Sequence, residues 1–93
     1  MPADTIQRHL RITNEKGLHA RASAKLVEVV EGFDATAEIS RDGLTASGDS
    51  IMGLLMLAAS KGSTIELQAC GPDAAALADA VEALVENRFG EET

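Results

Sequence analysis

The 93-residue sequence is poor in aromatic residues, thiols and basic side chains. It has two Phe, no Trp, no Tyr and a single Cys. A single Cys excludes an intramolecular disulfide framework and favours a reducing compartment. Eight Lys and Arg stand against 15 Asp and Glu, which gives a net charge of −7. This charge argues against nucleic acid or an anionic membrane as the main partner, and the shortage of aromatics argues against base stacking.

The sequence also lacks a long hydrophobic run. The longest, residues 51–59, is interrupted by Gly53 and is too short to span a bilayer. Residues 1–11 have no apolar stretch of the kind that signal peptides carry. With 45% hydrophobic residues there is enough material for an aliphatic core. We therefore expect one cytoplasmic domain over residues 1–93, monomeric and without metal or cofactor.

Periodicity predicts four strands and three helices. Apolar and polar residues alternate over 6–12, 35–40, 44–47 and 64–69, whereas helical spacing runs over 20–31, 50–60 and 73–88. One polar face on every strand is typical of an antiparallel sheet that is solvated on one side, so all helices must cover the other side. The order βαββαβα thus predicts an α+β two-layer sandwich. We expect Arg8 at the edge of the apolar face, Gly32 to follow the first helix and Asp73 to cap the third.

A cluster of basic residues surrounds the start of the first predicted helix. His19 stands where that helix begins, and residues 16–27 contain Lys16, Arg21 and Lys25 but no acid. The first turn of a helix offers free N–H groups and a partial positive charge, which suit a phosphate. Imidazole can act as a nucleophile near neutral pH, and arginine offers a fork of donors to phosphoryl oxygens. The arrangement fits a phosphohistidine, but spacing alone fits a solvated polar loop more often.

Residues 50–59 predict a short helix with an exposed apolar side. Ser50 can cap its N-terminus. One face collects Ile51, Leu54, Leu57 and Ala58, and the other side collects Met52, Leu55 and Met56. A short helix on one side of a sheet cannot bury both faces, so we expect the second set to be exposed as a protein-contact surface. The alternative is a more deeply buried helix.

Two segments resemble the HPr family, the histidine-containing phosphocarrier proteins of the bacterial phosphotransferase system. Residues 17–23, GLHARAS, are similar to the active-site signature of the family, and residues 46–52, ASGDSIM, match a second segment. The resemblance runs from Ile6 to about Phe89. It implies an open-faced β-sandwich, with a four-stranded antiparallel sheet and three helices on one face. Ala22 departs from the family pattern, in which many members carry Pro.

The resemblance implies that His19 accepts a phosphoryl group from phospho-enzyme I and passes it to a histidine of a IIA protein. Arg21 would bind the phosphoryl group, and the same surface would receive both partners. We expect Gly17, Ala20, Lys16 and Lys25 to complete or steer toward the phosphate site, and the partner surface to contain Ile51, Met52, Leu55 and Met56. Gly17 also permits a tight turn and close approach by another protein. Such a carrier serves sugar uptake or regulation and is not a stand-alone turnover enzyme.

A second interpretation is a non-catalytic regulatory module that serine phosphorylation controls. Ser50 matches the serine that HPr kinase/phosphorylase modifies in some members of the family. A phosphate there would lie at a helix N-terminus and add negative charge beside the apolar surface. A plain capping role for Ser50 remains the alternative.

The remaining polar and reactive side chains carry no predicted chemistry. We expect His9 to be solvated on the polar sheet face and Cys70 to be an inert, half-buried thiol. Ser23 has no partner placed to activate it. The acids of the last helix and tail should form a solvated face and a frayed end, without the spacing of a metal site: Asp79, Glu82, Glu86, Glu91 and Glu92.

Overall fold

The computed structural model describes residues 5–93 and contains every predicted element. The order is β1 (Thr5–Arg11), α1 (Ala20–Glu31), β2 (Thr36–Arg41), β3 (Leu44–Ser47), α2 (Ile51–Met56), β4 (Thr64–Cys70) and α3 (Ala74–Glu86), followed by a 3-10 turn (Arg88–Gly90). The largest difference from expectation is the length of α2. This helix ends at Met56, with Leu57 as its C-cap, because Ala58 adopts a left-handed conformation, with φ 51°.

The four strands form one antiparallel sheet in the order β1-β4-β2-β3. Leu10 of β1 lies opposite Ile65 of β4, and Leu67 of β4 lies opposite Ile39 of β2. These four side chains are buried, whereas the alternate positions along the strands are mostly exposed. The helices cover the buried face, so the expected α+β open-faced sandwich is confirmed.

The edge strands explain two details of the apolar face. Arg8 of β1 reaches the helix layer, where its guanidinium donates to Glu82 at 2.5 Å and to Asp79 at 3.0 Å. These acids of α3 therefore pair with the sheet edge as well as facing solvent. At the other edge, Leu44 was expected to face inward with Ala46, but its side chain is 55% exposed because it begins the short outer strand β3.

The helix ends test three local predictions. Ser50 caps α2, since its Oγ accepts a hydrogen bond from the Gly53 N–H at 3.0 Å. Asp73 occupies the N-cap position of α3, but its carboxylate accepts instead from the N–H of Asp34 at 2.8 Å and thus ties α3 to the loop after α1. Gly32 directly follows α1 as expected, and it is the C-cap residue, with a right-handed conformation at φ −80°.

Among residues 5–93, no helix is long and apolar enough to cross a membrane.

Candidate functional site

His19 is the N-cap residue of α1. Its backbone is extended, with φ −76° and ψ −178°, and its carbonyl oxygen accepts the first helical hydrogen bond from the Ser23 N–H at 2.8 Å. The imidazole makes no capping hydrogen bond with the helix, and the side chain is 26% exposed. The N–H groups in the first turn of α1 have no carbonyl oxygen within the helix to accept their hydrogen bonds. The ring therefore lies at the positive end of a 12-residue helix without consuming its donors.

The loop before His19 is held against the segment that follows α2. The Leu18 N–H donates to the carbonyl oxygen of Ala59 at 2.8 Å. Gly17 has φ +64°, and a Cβ on it would overlap that same carbonyl oxygen. We expected Gly17 to admit another protein, but the close neighbour is this chain's own backbone. The glycine is needed to position the His19 loop.

Glu91 contacts the imidazole of His19, from a distant part of the sequence. One carboxylate oxygen lies within hydrogen-bond distance of His19 Nε2, and the other accepts from Asn14 Nδ2 at 3.0 Å. These contacts leave the Glu91 side chain 17% exposed. The expectation that Glu91 belongs to a frayed, solvated end is therefore wrong. The hydrogen bond to His19, then that to Asn14, holds the pKa of the Glu91 carboxyl below its ordinary value of 4.5.

A C-terminal strap, residues 88–93, brings Glu91 to the site. Phe89 is fully buried, and its carbonyl oxygen accepts a hydrogen bond from Lys25 Nζ at 2.6 Å. The backbone N–H of Glu15 donates to the carbonyl oxygen of Thr93 at 3.1 Å. Lys25 was expected to steer phosphate, but its ammonium is hydrogen-bonded to the strap.

The strap and the start of α1 enclose an open groove of about 580 Å³. It is lined by Lys16, His19, Ala20, Arg21, Glu91, Glu92 and Thr93. Lys16 and Arg21 are exposed, and no described residue accepts a hydrogen bond from the guanidinium of Arg21. The segment that is free of acids in sequence is thus not free of them in space, because the strap supplies two.

A comparison with protein families decides the relationship. Residues 6–87 match the model described as the PTS HPr component phosphorylation site. This chain belongs to the HPr family. It is 49% identical over 86 residues to the phosphocarrier protein HPr of Cupriavidus necator, covering 92% of this chain and 97% of that one. It is 40% identical over 89 residues to the phosphocarrier protein NPr of Escherichia coli K12, covering 95% and 99%.

Solved structures of the HPr family have the same fold. The structure of HPr-C-His from Thermoanaerobacter tengcongensis superposes with a TM-score of 0.90 at 33% identity, over 95% of this chain and 99% of that one. A phosphocarrier protein HPr from Bacillus anthracis superposes with a TM-score of 0.83 at 34% identity, over 87% and 96%. This HPr-family chain is thus related to phosphocarrier proteins of the phosphotransferase system along nearly its whole length.

The α2 patch of this HPr-family chain consists of Ile51, Met52, Leu55 and Met56. Met52 and Met56 are 70% and 76% exposed, Ile51 is 40% exposed and Leu55 is half-buried. The exposed methionine side is confirmed, but helical phase placed Ile51 on the buried face. The buried contacts of this segment are made by Leu54 and Leu57, whereas Ile51 is the first residue of a six-residue helix.

Three other residues to which we assigned no chemistry, His9, Cys70 and Ser23, are not part of the groove lining. His9 is exposed on the polar sheet face, where its Nε2 lies 3.3 Å from a carboxylate oxygen of Glu66. Cys70 is half-buried, with its Sγ 3.3 Å from the hydroxyl oxygen of Thr5. Ser23 is buried, and its hydroxyl donates to the carbonyl oxygen of Leu18 at 3.2 Å. Within residues 5–93, no group of three His, Cys, Asp or Glu could hold a metal ion.

Proposed function

We propose that this chain carries a phosphoryl group on His19, taking it from phospho-enzyme I and passing it to a histidine of a IIA protein. The observation that carries the proposal is the position of His19. Its imidazole stands at the N-cap of α1, in an open groove with an exposed arginine two residues away. Family membership supports the same chemistry.

The contact with Glu91 favours one ring nitrogen as the nucleophile. The pKa of Glu91 lies below its ordinary value, so its carboxylate is ionised near neutral pH and can only accept a hydrogen bond. His19 Nε2 must then carry the hydrogen, and in the neutral ring the free electron pair is on Nδ1. Nδ1 attacks the phosphorus of the donor phosphohistidine, while the donor's N–P bond breaks and its electron pair returns to the donor ring. The second transfer repeats these steps with His19 as the donor.

The surroundings of His19 supply what a phosphoryl dianion needs. N–H groups in the first turn of α1, beginning at Ala20, offer hydrogen bonds and a partial positive charge. Arg21 adds a guanidinium that can bind two phosphoryl oxygens at once, and Lys16 adds an exposed positive charge at the groove. We assign Lys25 to support of the strap rather than to direct phosphate contact, because of its bond to Phe89.

Transfer between two phosphohistidines involves bonds of similar energy, so the carrier needs no cofactor to drive it, and one copy of the chain supplies the residues that line the groove. It must present one imidazole to two partners in turn. The α2 patch offers exposed apolar area for that contact, and methionine suits a surface that accepts different partners. Using one surface twice makes the two complexes mutually exclusive and short-lived.

Labelling with phosphoenolpyruvate, enzyme I and Mg²⁺ tests the acceptor. We expect an acid-labile, base-stable label that His19→Ala abolishes. The matched control is His9→Ala, since His9 is the other histidine of the chain and lies on the exposed sheet face. Label retained in His19→Ala, or lost in His9→Ala, would overturn the assignment. Arg21→Ala should keep the label but slow its uptake.

A docking variant tests the partner surface. Met52→Asp should weaken binding of enzyme I, because burying an aspartate in an apolar contact costs free energy. The circular dichroism spectrum should stay unchanged, because Met52 is 70% exposed in the free chain. Leu44→Asp is the control, since Leu44 is an exposed apolar residue on the edge strand β3. Equal binding by both variants would show that the α2 patch does not dock the enzyme.

Regulation through Ser50 is a second candidate, and its position beside the α2 patch favours it. Its hydroxyl oxygen caps α2 directly before Ile51 and Met52. A phosphate at this position would gain from the helix N-terminus and place nearly two negative charges at the docking surface. Incubation with HPr kinase/phosphorylase should label the chain, and Ser50→Ala should remove the label while Ser47→Ala should not. Equal labelling of Ser50→Ala would exclude this candidate.

A further inference from the structure

The path of the strap is energetically demanding. Arg88 and Phe89 both adopt left-handed conformations, with φ 54° and 56°, and Gly90 continues with φ 79°. Residues other than glycine disfavour the left-handed region of backbone conformation. The turn therefore forms only where other contacts stabilise it. Those contacts are the complete burial of Phe89 and the hydrogen bond from Lys25 to its carbonyl oxygen. The chain thus reverses after α3 and brings Glu91 onto α1.

Asn14 couples the strap to the His19 loop. It is fully buried, and its amide nitrogen donates both to the carbonyl oxygen of Gly17 at 2.8 Å and to Glu91 Oε1 at 3.0 Å. One carboxylate oxygen of Glu91 is therefore held by Asn14 while the other meets His19 Nε2. Both oxygens have protein partners, so the direction of the carboxylate is defined by two residues of the segment between β1 and α1, each more than 70 residues from Glu91 in sequence.

We propose that Glu91 is a positioning residue for phosphoryl transfer, holding the His19 ring through its Nε2–H and so fixing both its tautomer and the direction in which Nδ1 faces. This inference rests on the proposed function of His19. It resembles the general role of a carboxylate that orients a histidine from behind, and such residues act through the ring without touching the phosphoryl group.

The Nε2–H also matters for the second transfer. When Nδ1 carries the phosphoryl group and Nε2 keeps its hydrogen, the ring is cationic, and the Glu91 carboxylate stabilises it. As the IIA histidine attacks phosphorus, the N–P bond breaks and its electron pair returns to Nδ1, so His19 leaves as a neutral imidazole. Without that hydrogen on Nε2 the leaving group would be an imidazolate anion, which is much poorer. With Glu91 in place, no proton has to move in either transfer.

A substitution that tests Glu91 should leave the other charged residues of the groove unchanged. Lys16 and Arg21 face the groove from the loop and from α1, and Glu92 faces it from the strap. Lys25 lies on the strap side, at the carbonyl oxygen of Phe89. Glu91→Gln keeps the side-chain shape, removes the charge and replaces one accepting oxygen by an NH2 donor. Glu92→Gln is the matched control, because Glu92 is an exposed neighbour that makes the same change in net charge.

The first experiment reads the tautomer without any phosphoryl transfer. Nitrogen-15 spectra of the unphosphorylated ring, recorded where imidazole is neutral, should show widely separated Nδ1 and Nε2 resonances in the native chain and in Glu92→Gln. In Glu91→Gln the two resonances should move toward each other, since a neutral amide accepts a weaker hydrogen bond and can also donate one. Unchanged separation in Glu91→Gln would overturn the inference.

The second experiment measures transfer from the phosphorylated chain to a IIA protein between pH 6 and 9. Glu91→Gln should transfer about tenfold more slowly at the alkaline end, the order of one charge-assisted hydrogen bond, and should approach the native rate at the acidic end, where the ring is protonated without help. Glu91→Asp should recover part of the rate. A Glu91→Gln profile equal to that of Glu92→Gln would refute the positioning role, whereas label retained by His19→Ala would refute the proposed function itself.

Discussion

Replacing Gly17 by alanine should destabilise this chain more than the same change at either of two other glycines with positive φ. Gly17 has φ +64°, and its added Cβ would overlap the Ala59 carbonyl oxygen and come within 2.9 Å of Ser60 Cα. Both obstacles are backbone atoms, so no side chain can rotate away. Gly43 and Gly62 have φ +83° and +91°, and an added Cβ there meets nothing within 4 Å. They carry the conformational cost without the collision.

The magnitude follows from these two contributions. A residue other than glycine in the left-handed region costs about 1–2 kcal/mol, and forcing an extra methyl group into packed surroundings costs about 1–3 kcal/mol. Gly17→Ala should therefore lower the free energy of unfolding by about 2–5 kcal/mol, which is the sum of both costs. Gly43→Ala and Gly62→Ala should each lower the free energy of unfolding by about 1–2 kcal/mol, which is the conformational cost alone.

Urea unfolding followed by far-ultraviolet circular dichroism measures the difference. Fluorescence is unsuitable because the chain has no Trp and no Tyr. The same variant should also slow phosphorylation of His19, because the hydrogen bond from the Leu18 N–H to Ala59 must lengthen or break. A loss at Gly17 no larger than the loss at Gly62 would show that the close approach to Ala59 does not constrain this loop.

Three further changes probe the helix ends and the strap. Ala58→Gly should raise the free energy of unfolding by about 1 kcal/mol, because Ala58 has φ 51° at the end of α2; thermal unfolding should show a higher midpoint. Ser50→Ala should lower the free energy of unfolding by about 1 kcal/mol, because the Gly53 N–H loses its capping acceptor. Ser50→Asp can still cap the helix and should not lower it; urea titrations measure both variants. The lowered pKa of Glu91 stabilises the folded state above its ordinary value of 4.5, and this contribution disappears as the pH falls through the folded-state value. Unfolding curves of the native chain and Glu91→Gln should therefore differ at pH 7 and converge in acid; a constant difference would contradict the assignment of the lowered pKa to the hydrogen bonds from His19 and Asn14.

Local patterns were sufficient for the elements and for part of the site. Alternation along β4 buries Ile65 and Leu67, and helical spacing leaves Met52 and Met56 exposed. His19 begins α1 and Ser50 caps α2, as their residue types and neighbours predict. Burial along a strand, the exposed side of a helix and a helix cap all depend on residues that are close together in sequence. The local sequence therefore contains the information that determines them.

Hydrogen-bond partners that are distant in sequence could not be predicted from local patterns. Asp73 has the residue type of a helix cap, but the loop after α1 offers the Asp34 N–H, and its carboxylate binds there. Lys25 belongs to an acid-free basic segment, but the buried turn at Phe89 presents a carbonyl oxygen to its ammonium. In both cases the observed partner is a backbone group far away in sequence, 39 residues from Asp73 and 64 residues from Lys25, and only the fold brings it within hydrogen-bond distance.

The central contact of the site shows the same division. The position of His19 at the start of α1, among basic residues, is readable from the order of the amino acids. The contact of its ring with Glu91, 72 residues away, depends on the folded chain. The reason is the turn at Arg88 and Phe89, where two residues adopt a backbone conformation that their own preferences disfavour. Burial of Phe89 in the assembled core compensates for that cost, and a core exists only after all elements have packed.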